Sequence, residues 1–419
     1  MTMNAKRRRA HEKLAAQAGV RSVRRPLSPG TDDEFDLYYV RAGRKSAHPM
    51  VIIPGGPGAA SVALYRGDRR RTATAGLDVI MVEHRGIGMS RHDDAGADLP
   101  PQALTIEHVV DDLVAVLDDA HVERAVLYGT SYGAYIAAGV GVRHPQRVHG
   151  MILDSPVLSG RDIDDARAAI RRALWDGTDS ETADLAPKVR QLVGDGVLEP
   201  VSGQLAAAVY GLGGPALLDR QLDLLLAGRH GVWTALDNLT RRFIARKAPY
   251  RNEPDLVGRI GFRELNYGDV PDGKPLDPAV AFRDFASDPV EFEAEPYDLA
   301  AEMPKFSWPT VVVSGGRDLT TPPVVADRIA SLIPGALLVR LPTAGHSVLD
   351  SRKRAAVQIA KAMAEGKIET LPARAAALDA LPVGTVIRLF VAALGAAAAV
   401  ESVMPGVVPR IVERVTATS

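Results

Sequence analysis

Short, almost wholly apolar segments recur along this chain and alternate with segments of helical periodicity, such as residues 105–120. The middle apolar segments carry Val, Ile and Leu at nearly every position, which is typical of strands buried on both faces of a parallel sheet. The alternation predicts an α/β protein with a doubly wound, mostly parallel sheet. The strand candidates are FDLYYVRAG, MVIIPGG, DVIMVEHRG, RAVLYGTS, VHGMILDSP, TVVVSGG and ALLVRLPTAGH.

The alternation stops after Pro156 and resumes at Pro309. The intervening sequence is mainly helical and is broken by Gly- and Pro-rich turns. An insertion of this kind usually covers the carboxyl ends of the strands, where ligands bind. We therefore predict a basic N-terminal extension (residues 1–30), an α/β core (31–156 and 306–366), an inserted helical cap (157–305) and an Ala-rich C-terminal tail (367–419).

The two terminal segments differ in character. The N-terminus MTMNAKRRRAHEKLAAQAGVRSVRRPL is basic and lacks the apolar core of a secretory signal. We expect a solvated, partly helical extension; a nucleic-acid or partner-binding arm is the alternative, but aromatic residues are not interleaved with its charges. In the tail, Arg388 and Glu401 bracket an uncharged stretch too short to span a bilayer unaided. A helix packed on the domain or on a partner chain is expected there, and a membrane-surface anchor is the alternative.

Composition excludes several classes of protein. The 419 residues carry a net charge of −1, which gives no global electrostatic case for binding nucleic acid or membrane. The chain has no cysteine, so disulfides, thiolate metal sites and cysteine nucleophiles are excluded. The Gly-rich turns lack phosphate-binding patterns, and His84, His92, Asp93 and Asp94 lack a regular metal-ligand spacing. We expect no metal and no cofactor, and a cytoplasmic location by default; the oligomeric state is left open.

The segment VLYGTSYGAYIA places one serine, Ser131, between two glycines where a strand gives way to a helix. A sharp turn there forces the central residue into a positive-φ conformation, and small residues two positions away let the backbones pass. The hydroxyl is then held clear of the sheet at a helix N-terminus. Ser131 is the candidate nucleophile.

A serine hydroxyl needs a positioned base, which is itself oriented by a carboxylate. Asp318 follows the predicted strand TVVVSGG, and His346 follows the next strand, so both emerge at the same sheet edge as Ser131. Asp154, at the end of VHGMILDSP, is the rival acid. We favour Asp318, because its loop and the His346 loop are neighbours in the expected strand order.

Acyl transfer also requires donors for the developing oxyanion, and backbone N–H groups supply them with little reorganisation. Tyr132, the residue after the serine, would supply one. The loop after VIIPGG would supply the other, where Gly55 and Gly56 allow the backbone to approach a substrate closely.

These motifs together resemble one branch of a known superfamily. PGGPG, E-x-R-G-x-G-x-S, G-T-S-Y-G, G-x-D-x-x-x-P-P and A-G-H are similar to motifs of the prolyl iminopeptidase/tripeptidyl aminopeptidase branch of the α/β-hydrolases. The resemblance implies an α/β-hydrolase fold with Ser131 as nucleophile, Asp318 as acid, His346 as base, and Gly56 and Tyr132 as oxyanion donors. Pro54, Glu83 and His84 depart from the usual H-G-G-P-G and D-Q-R-G motifs.

The resemblance implies a serine hydrolase, most consistently an aminopeptidase that removes N-terminal residues from short peptides. Such enzymes recognise a free amine with cap carboxylates, and Glu264 in GFRELNYGD is the best-placed candidate, with Glu291, Glu293 and Glu295 behind it. An esterase or amidase acting on small acyl substrates is the alternative, and a non-catalytic binding protein of the same fold is a further one.

Overall fold

One eight-stranded sheet organises the chain, in the order β1-β2-β4-β3-β5-β6-β7-β8. A computed structural model describes residues 3–28, 30–199, 202–245, 248–285 and 290–404. The neighbouring pairs from β4 to β8 are parallel, whereas β2 is antiparallel to both β1 and β4. The strands are β1 (Val20–Pro26), β2 (Glu34–Ala42), β3 (Met50–Ile53), β4 (Val79–Val82), β5 (Ala125–Thr130), β6 (Val148–Asp154), β7 (Thr310–Gly315) and β8 (Leu337–Leu341). The predicted α/β class is confirmed, and each predicted strand is present.

Helices cover both faces of this sheet. Successive residues of the central strands enter two different cores. Val51 and Leu127 pack with the helices Ile106–Asp119, Tyr132–Arg143 and Pro323–Leu332, whereas Ile52 and Tyr128 pack with the helix Lys353–Ala364. Burial on both faces explains why these strands are apolar at every position. The core helices are α1 (Ala5–Ala15), α2 (Ser61–Leu64), α3 (Arg66–Thr74), α4 (Ile106–Asp119), α5 (Tyr132–Arg143), α14 (Pro323–Leu332), α15 (Val348–Ser351), α16 (Lys353–Ala364) and α17 (Leu371–Asp379).

The insertion between β6 and β7 is helical, as its sequence predicts. Its helices are α6 (Asp162–Arg171), α7 (Leu185–Gly194), α8 (Ser202–Gly213), α9 (Pro215–Leu226), α10 (Gly231–Ala245), α11 (Pro254–Leu265), α12 (Pro278–Phe285) and α13 (Leu299–Glu302). Most of them share a third hydrophobic core, which is separate from the two cores of the sheet. Helix α11 instead packs Val257 and Ile260 against the core that contains α4 and α5. We call this insertion the cap.

The N-terminal segment is partly helical, as predicted, but it also contributes a strand to the sheet and a buried arginine. Residues Val20–Pro26 form β1, an edge strand paired with β2. Arg7 on α1 is 4% exposed; it forms an ion pair with Glu253 at 2.6 Å and donates to the carbonyl of Gly88. Arg24 and Arg25 on β1 are also paired, with Asp94 and Asp112. The acidic partners of these three arginines lie far away in the sequence, so a count of charge could not reveal them.

The C-terminal tail forms α18 (Thr385–Val403), which contacts α8, α9 and α10 of the cap. Leu394 and Phe390 contribute to the cap core, and the Glu401 carboxylate accepts hydrogen bonds from the first backbone N–H groups of α10. One face of α18 therefore packs on the cap, in agreement with the predicted helix packed on the domain. Within the described residues, α18 is the helix long and apolar enough to span a membrane by length and composition. The prediction that this stretch is too short is therefore wrong about its length, because the 19-residue helix extends beyond the uncharged stretch between Arg388 and Glu401. The predicted tail beyond residue 404 lies outside the described residues.

Candidate active site

Ser131 occupies a strained turn between β5 and α5. Its φ is 54° and its ψ is −124°, the positive-φ conformation that the flanking glycines predict. A Cβ atom on Gly129 would lie 2.1 Å from the carbonyl oxygen of Gly133. A Cβ atom on Gly133 would lie 2.1 Å from the carbonyl oxygen of Ile53 on β3. Only glycine fits at these two positions, because a side chain there would collide with backbone atoms that pack around the serine.

Replacing Gly133 by alanine should destabilise the protein. Because the added methyl group meets rigid backbone, we expect Gly133→Ala to lower the free energy of unfolding by about 1–3 kcal/mol, measured by urea titration. Gly258→Ala on α11 is the matched control, since a Cβ atom there meets nothing within 4 Å. That control should raise stability by about 0.5–1 kcal/mol, as Gly is less favourable than Ala in a helix. Equal effects of the two changes would contradict the steric account.

His346 is paired with Asp318. Asp318 Oδ2 lies 2.9 Å from His346 Nδ1, and the backbone N–H groups of Thr320 and Thr321 donate to Asp318 Oδ1 at 2.9 Å. The Thr321 hydroxyl lies 3.0 Å from Asp318 Oδ2 and 3.2 Å from His346 Nδ1. Thr321 was not among the residues predicted from the sequence, although its position three residues after Asp318 matches a local capping pattern.

The rival acid, Asp154, has different partners. Its carboxylate accepts the backbone N–H groups of Val348 at 3.1 Å and Leu349 at 2.7 Å, at the start of α15. Burial raises the pKa of Asp154 to about 6. The carboxylate thus holds the helix that follows the His346 loop, while Asp318 is the acid in hydrogen-bond contact with the imidazole.

The pair also shifts the pKa of each partner. Burial opposes the charge on both groups, but the attraction between them and their hydrogen bond prevail, with the backbone donors adding to the effect at Asp318. The pKa of His346 is therefore raised above its ordinary value, and the pKa of Asp318 is lowered.

The predicted oxyanion donors lie beside Ser131. Tyr132 is the first residue of α5, and Gly56 lines the same pocket as Ser131. Gly55 is also close, since a Cβ atom on it would lie 3.2 Å from the Cβ atom of Ser131. Among the hydrogen bonds found between described residues outside helices and strands, none uses the N–H of Gly56 or of Tyr132. Tyr132 is also at the first position of α5, where an N–H has no acceptor within the helix.

A cavity of about 250 Å³ opens between the sheet edge and the cap. Ser131, His346 and Gly56 form its floor, and its walls are largely apolar, formed by Val157, Ile163, Ala166, Leu265 and Phe282. Asp162 also lines it. The sequence analysis missed Asp162, because its position after VLSGR resembles an ordinary acidic residue in the first turn of a helix.

Glu264 is not among the residues that line this cavity. Its Oε2 accepts the N–H of Ile106 at 2.8 Å, and its Oε1 forms an ion pair with Arg263. Among the carboxylates behind it, Glu295 accepts the N–H of Gly160 at 3.0 Å. In this structure Glu264 joins the cap to the start of α4.

The residues that depart from the family motifs are buried beside the site. Glu83 accepts the N–H groups of Val62 at 2.8 Å and Met89 at 3.1 Å, and burial raises its pKa to about 7. Burial lowers the pKa of His84 to about 4, so this imidazole is neutral at physiological pH. Among the described residues, no cluster of three His, Asp or Glu side chains could hold a metal ion.

Comparisons with known proteins agree with this architecture. Residues 48–189 match the family model described as alpha/beta hydrolase fold. A probable proline iminopeptidase of Leptolyngbya boryana is 22% identical over 323 residues, covering 75% of this chain and 86% of that protein. The proline iminopeptidase of Neisseria meningitidis serogroup A is 22% identical over 336 residues, covering 78% and 93%. A crystal structure of proline iminopeptidase from Mycobacterium smegmatis has a TM-score of 0.52 at 17% identity, covering 84% of this chain and 100% of that one.

The sheet order and these matches show that the chain has the α/β-hydrolase fold. In sequence the chain is similar to proteins named proline iminopeptidase, which supports a hydrolase. The resemblance predicted from the sequence motifs is confirmed at this level.

Proposed function

We propose that this protein is a serine hydrolase that works through an acyl-enzyme, with Ser131 as nucleophile, His346 as general base and Asp318 as its orienting acid. The observation that carries the proposal is the convergence of the strained Ser131 turn and the His346–Asp318 pair on one cavity. The presence of all three candidate groups, Ser131, His346 and Asp318, also argues against a non-catalytic binding protein, since a pure binding site does not require these groups together.

Each group has one task in this mechanism. Ser131 Oγ attacks the acyl carbon while His346 Nε2 takes its proton and later donates it to the leaving amine. Asp318 holds Nδ1 protonated and stabilises the imidazolium. The N–H groups of Gly56 and Tyr132 stabilise the developing oxyanion. In the second half of the reaction, His346 Nε2 takes a proton from water as the water oxygen attacks the acyl carbon. The ester bond to Ser131 Oγ then breaks, His346 returns the proton to Oγ, and the carboxylic acid leaves.

The most consistent substrates are short peptides with a free N-terminus, from which the enzyme removes the N-terminal residue. Relatives named proline iminopeptidase match over most of their own length, which supports this class. A cavity of about 250 Å³ with apolar walls suits one small apolar residue on the acyl side. The same walls would also accept a plain acyl group, so an esterase or amidase is the second candidate.

The deciding experiment compares three substrates: a prolyl arylamide, its N-acetylated form and a short acyl ester. We expect hydrolysis of the free-amine arylamide to be favoured, and Ser131→Ala to remove it. Covalent labelling of Ser131 by a fluorophosphonate tests the nucleophile independently of any substrate. Faster hydrolysis of esters than of every free-amine arylamide would favour the esterase.

The pH dependence of that labelling should reveal the perturbed base. Ser131 reacts only when His346 is neutral, and the Asp318 carboxylate raises the pKa of His346. We therefore expect the inactivation rate constant to rise with pH through a midpoint above about 6.5, the ordinary value for histidine. A midpoint below that value would show that Asp318 does not stabilise the imidazolium.

A further inference from the structure

Helix α18 presents an apolar face to solvent. Its charged residues are Arg388 and Glu401, one near each end. Side chains three or four positions apart share one face of a helix, and the exposed apolar residues of α18 follow this spacing. Val386 is 81% exposed and Leu389 is 62% exposed. We call this face the apolar stripe: Val386, Leu389, Ala393, Ala396, Val400 and Val403. A stripe of this length in contact with water indicates a surface that binds a partner.

Both ends of α18 are fixed to the rest of the protein. The N–H of Gly384, just before the helix, donates to the carbonyl of Ser351 at 3.3 Å. Near the other end, the Glu401 carboxylate accepts the N–H groups of Gly231 at 2.6 Å and Val232 at 3.0 Å. The face opposite the apolar stripe contributes to the cap core. A helix held in this way lies flat on the protein, and it could cross a bilayer only by giving up these contacts.

A basic cluster lies at the N-terminal end of α18. Its members, Arg71, Lys353, Arg354 and Arg388, line a cavity of about 200 Å³. Asp68 pairs with Arg71 at 2.9 Å and with Lys353 at 2.8 Å. The exposed side chains of Arg354 and Arg388 have no partner among the described residues. Positive charge is therefore in local excess, although the whole chain has a net charge of −1.

The basic cluster and the apolar stripe adjoin each other. Arg388 directly precedes Leu389, so the two side chains leave the helix about 100° apart, which places Arg388 at the edge of the stripe. A long arginine side chain in this position can extend its guanidinium towards a phosphate while its methylene groups remain against apolar material. One continuous surface thus combines apolar side chains with an excess of cations.

A second copy of this chain matches that surface less well. Two apolar stripes could bury each other, but the acidic residue of α18, Glu401, is already bound by the start of α10. Paired α18 helices would therefore leave both basic clusters without anions. A bilayer that contains anionic phospholipids offers both partners, because its apolar layer lies directly beneath a layer of phosphate groups.

We propose that α18 docks this protein on the surface of a membrane that contains anionic phospholipids. The helix lies parallel to the membrane plane, the apolar stripe enters the boundary between headgroups and acyl chains, and the basic cluster binds lipid phosphates. The opposite face of α18 stays on the cap, so the protein is peripheral and does not span the bilayer. This inference is independent of the proposed hydrolase function.

The test is flotation of the full-length protein with vesicles of phosphatidylcholine, alone or mixed with phosphatidylglycerol. We expect binding to the anionic vesicles to be about tenfold tighter or more, because each cation near an anionic surface contributes about fivefold in affinity. Added salt should weaken that binding, since salt screens exposed charges. Equal binding to both kinds of vesicle, or binding to neither, would overturn the proposal.

One pair of variants tests the apolar stripe. Leu389→Glu places a charge among the apolar side chains and should weaken vesicle binding by about tenfold or more. Val270→Glu is the matched control, because Val270 is 70% exposed and lies outside α18, and it adds the same charge. The control should bind much as the wild type does. Equal losses in the two variants would show that the stripe does not enter the membrane.

A second pair tests the basic cluster. Arg354→Gln combined with Arg388→Gln should weaken binding to the anionic vesicles by about tenfold or more and leave binding to neutral vesicles unchanged. Arg44→Gln is the control, since Arg44 is exposed, lies outside the cluster and has no partner among the described residues. An equal effect of Arg44→Gln would contradict a role of the cluster.

The remaining occupant is distinguished in the same proteins. If the wild type sediments as a dimer, Leu389→Glu sediments as a monomer and neither binds vesicles, the apolar stripe is an interface between copies and the proposal is overturned. The thermal unfolding midpoint shows whether each variant is folded. The comparison of neutral and anionic vesicles uses the wild type alone, so the proposal is tested even if a variant does not fold.

Discussion

Ser131→Ala should reduce hydrolysis by about 10⁴-fold or more, because the variant lacks the oxygen that forms the acyl-enzyme. The fold should persist. The backbone N–H of Ser131 still donates to the carbonyl of Asp154 at 2.9 Å, and alanine meets the same positive φ as serine. The measurements are kcat/KM for a prolyl arylamide and the thermal unfolding midpoint.

A control variant tests whether removing a serine hydroxyl elsewhere in the protein also reduces hydrolysis. Ser61→Ala on α2 removes a buried hydroxyl that has no hydrogen-bond partner among the described residues and is not part of the cavity lining. It should retain turnover and fluorophosphonate labelling. A folded Ser131→Ala protein with near-normal turnover, or one that is still labelled, would exclude the proposed nucleophile.

Asp318→Asn should have the second largest effect, a loss of about 10³–10⁴-fold in kcat. The asparagine oxygen can still accept hydrogen bonds from the N–H groups of Thr320 and Thr321, but the NH₂ group of the asparagine would then face His346 Nδ1. The imidazole would turn to the tautomer with its proton on Nε2, where it cannot accept the proton of Ser131. The pKa of His346 should also fall, because the carboxylate charge that raises it is gone.

Asp154→Asn is the matched comparison, because Asp154 is the rival candidate for the orienting acid. Asp154 accepts the two N–H groups that begin α15, so its replacement should lower the free energy of unfolding by about 1–2 kcal/mol. Its effect on kcat should be much smaller than that of Asp318→Asn. The reverse ranking in folded proteins would assign the orienting role to Asp154.

Local patterns sufficed to predict much of this molecule. Continuous apolar runs predicted the buried parallel strands, because burial on both faces leaves no position for a polar side chain. The glycines around Ser131 predicted the positive-φ turn, because the steric conflict lies within a few residues of the serine. The chain order of Ser131, Asp318 and His346 predicted which loops meet, since parallel strands bring their carboxyl ends to one edge.

Features that depend on distant partners were not predictable in this way. Arg7 and the strand Val20–Pro26 appear in the sequence as a basic extension, yet Glu253 partners Arg7 and β2 pairs with the strand. The sequence analysis favours Glu264 as the amine-binding residue and does not single out Asp162. In the structure, the Glu264 carboxylate is bound by the N–H of Ile106 and by Arg263, whereas the cap buries Asp162 at the cavity wall.

The sequence by itself therefore determined the α/β architecture and the serine turn, because both follow from short-range periodicity and backbone sterics. Only the tertiary structure decided which carboxylate lies in hydrogen-bond contact with His346, how deeply the cap buries Asp162, and where the described parts of the terminal segments pack. The physical reason is that burial, desolvation and the pairing of charges depend on residues far apart in the chain, which are brought together only when the sheet and the cap enclose them.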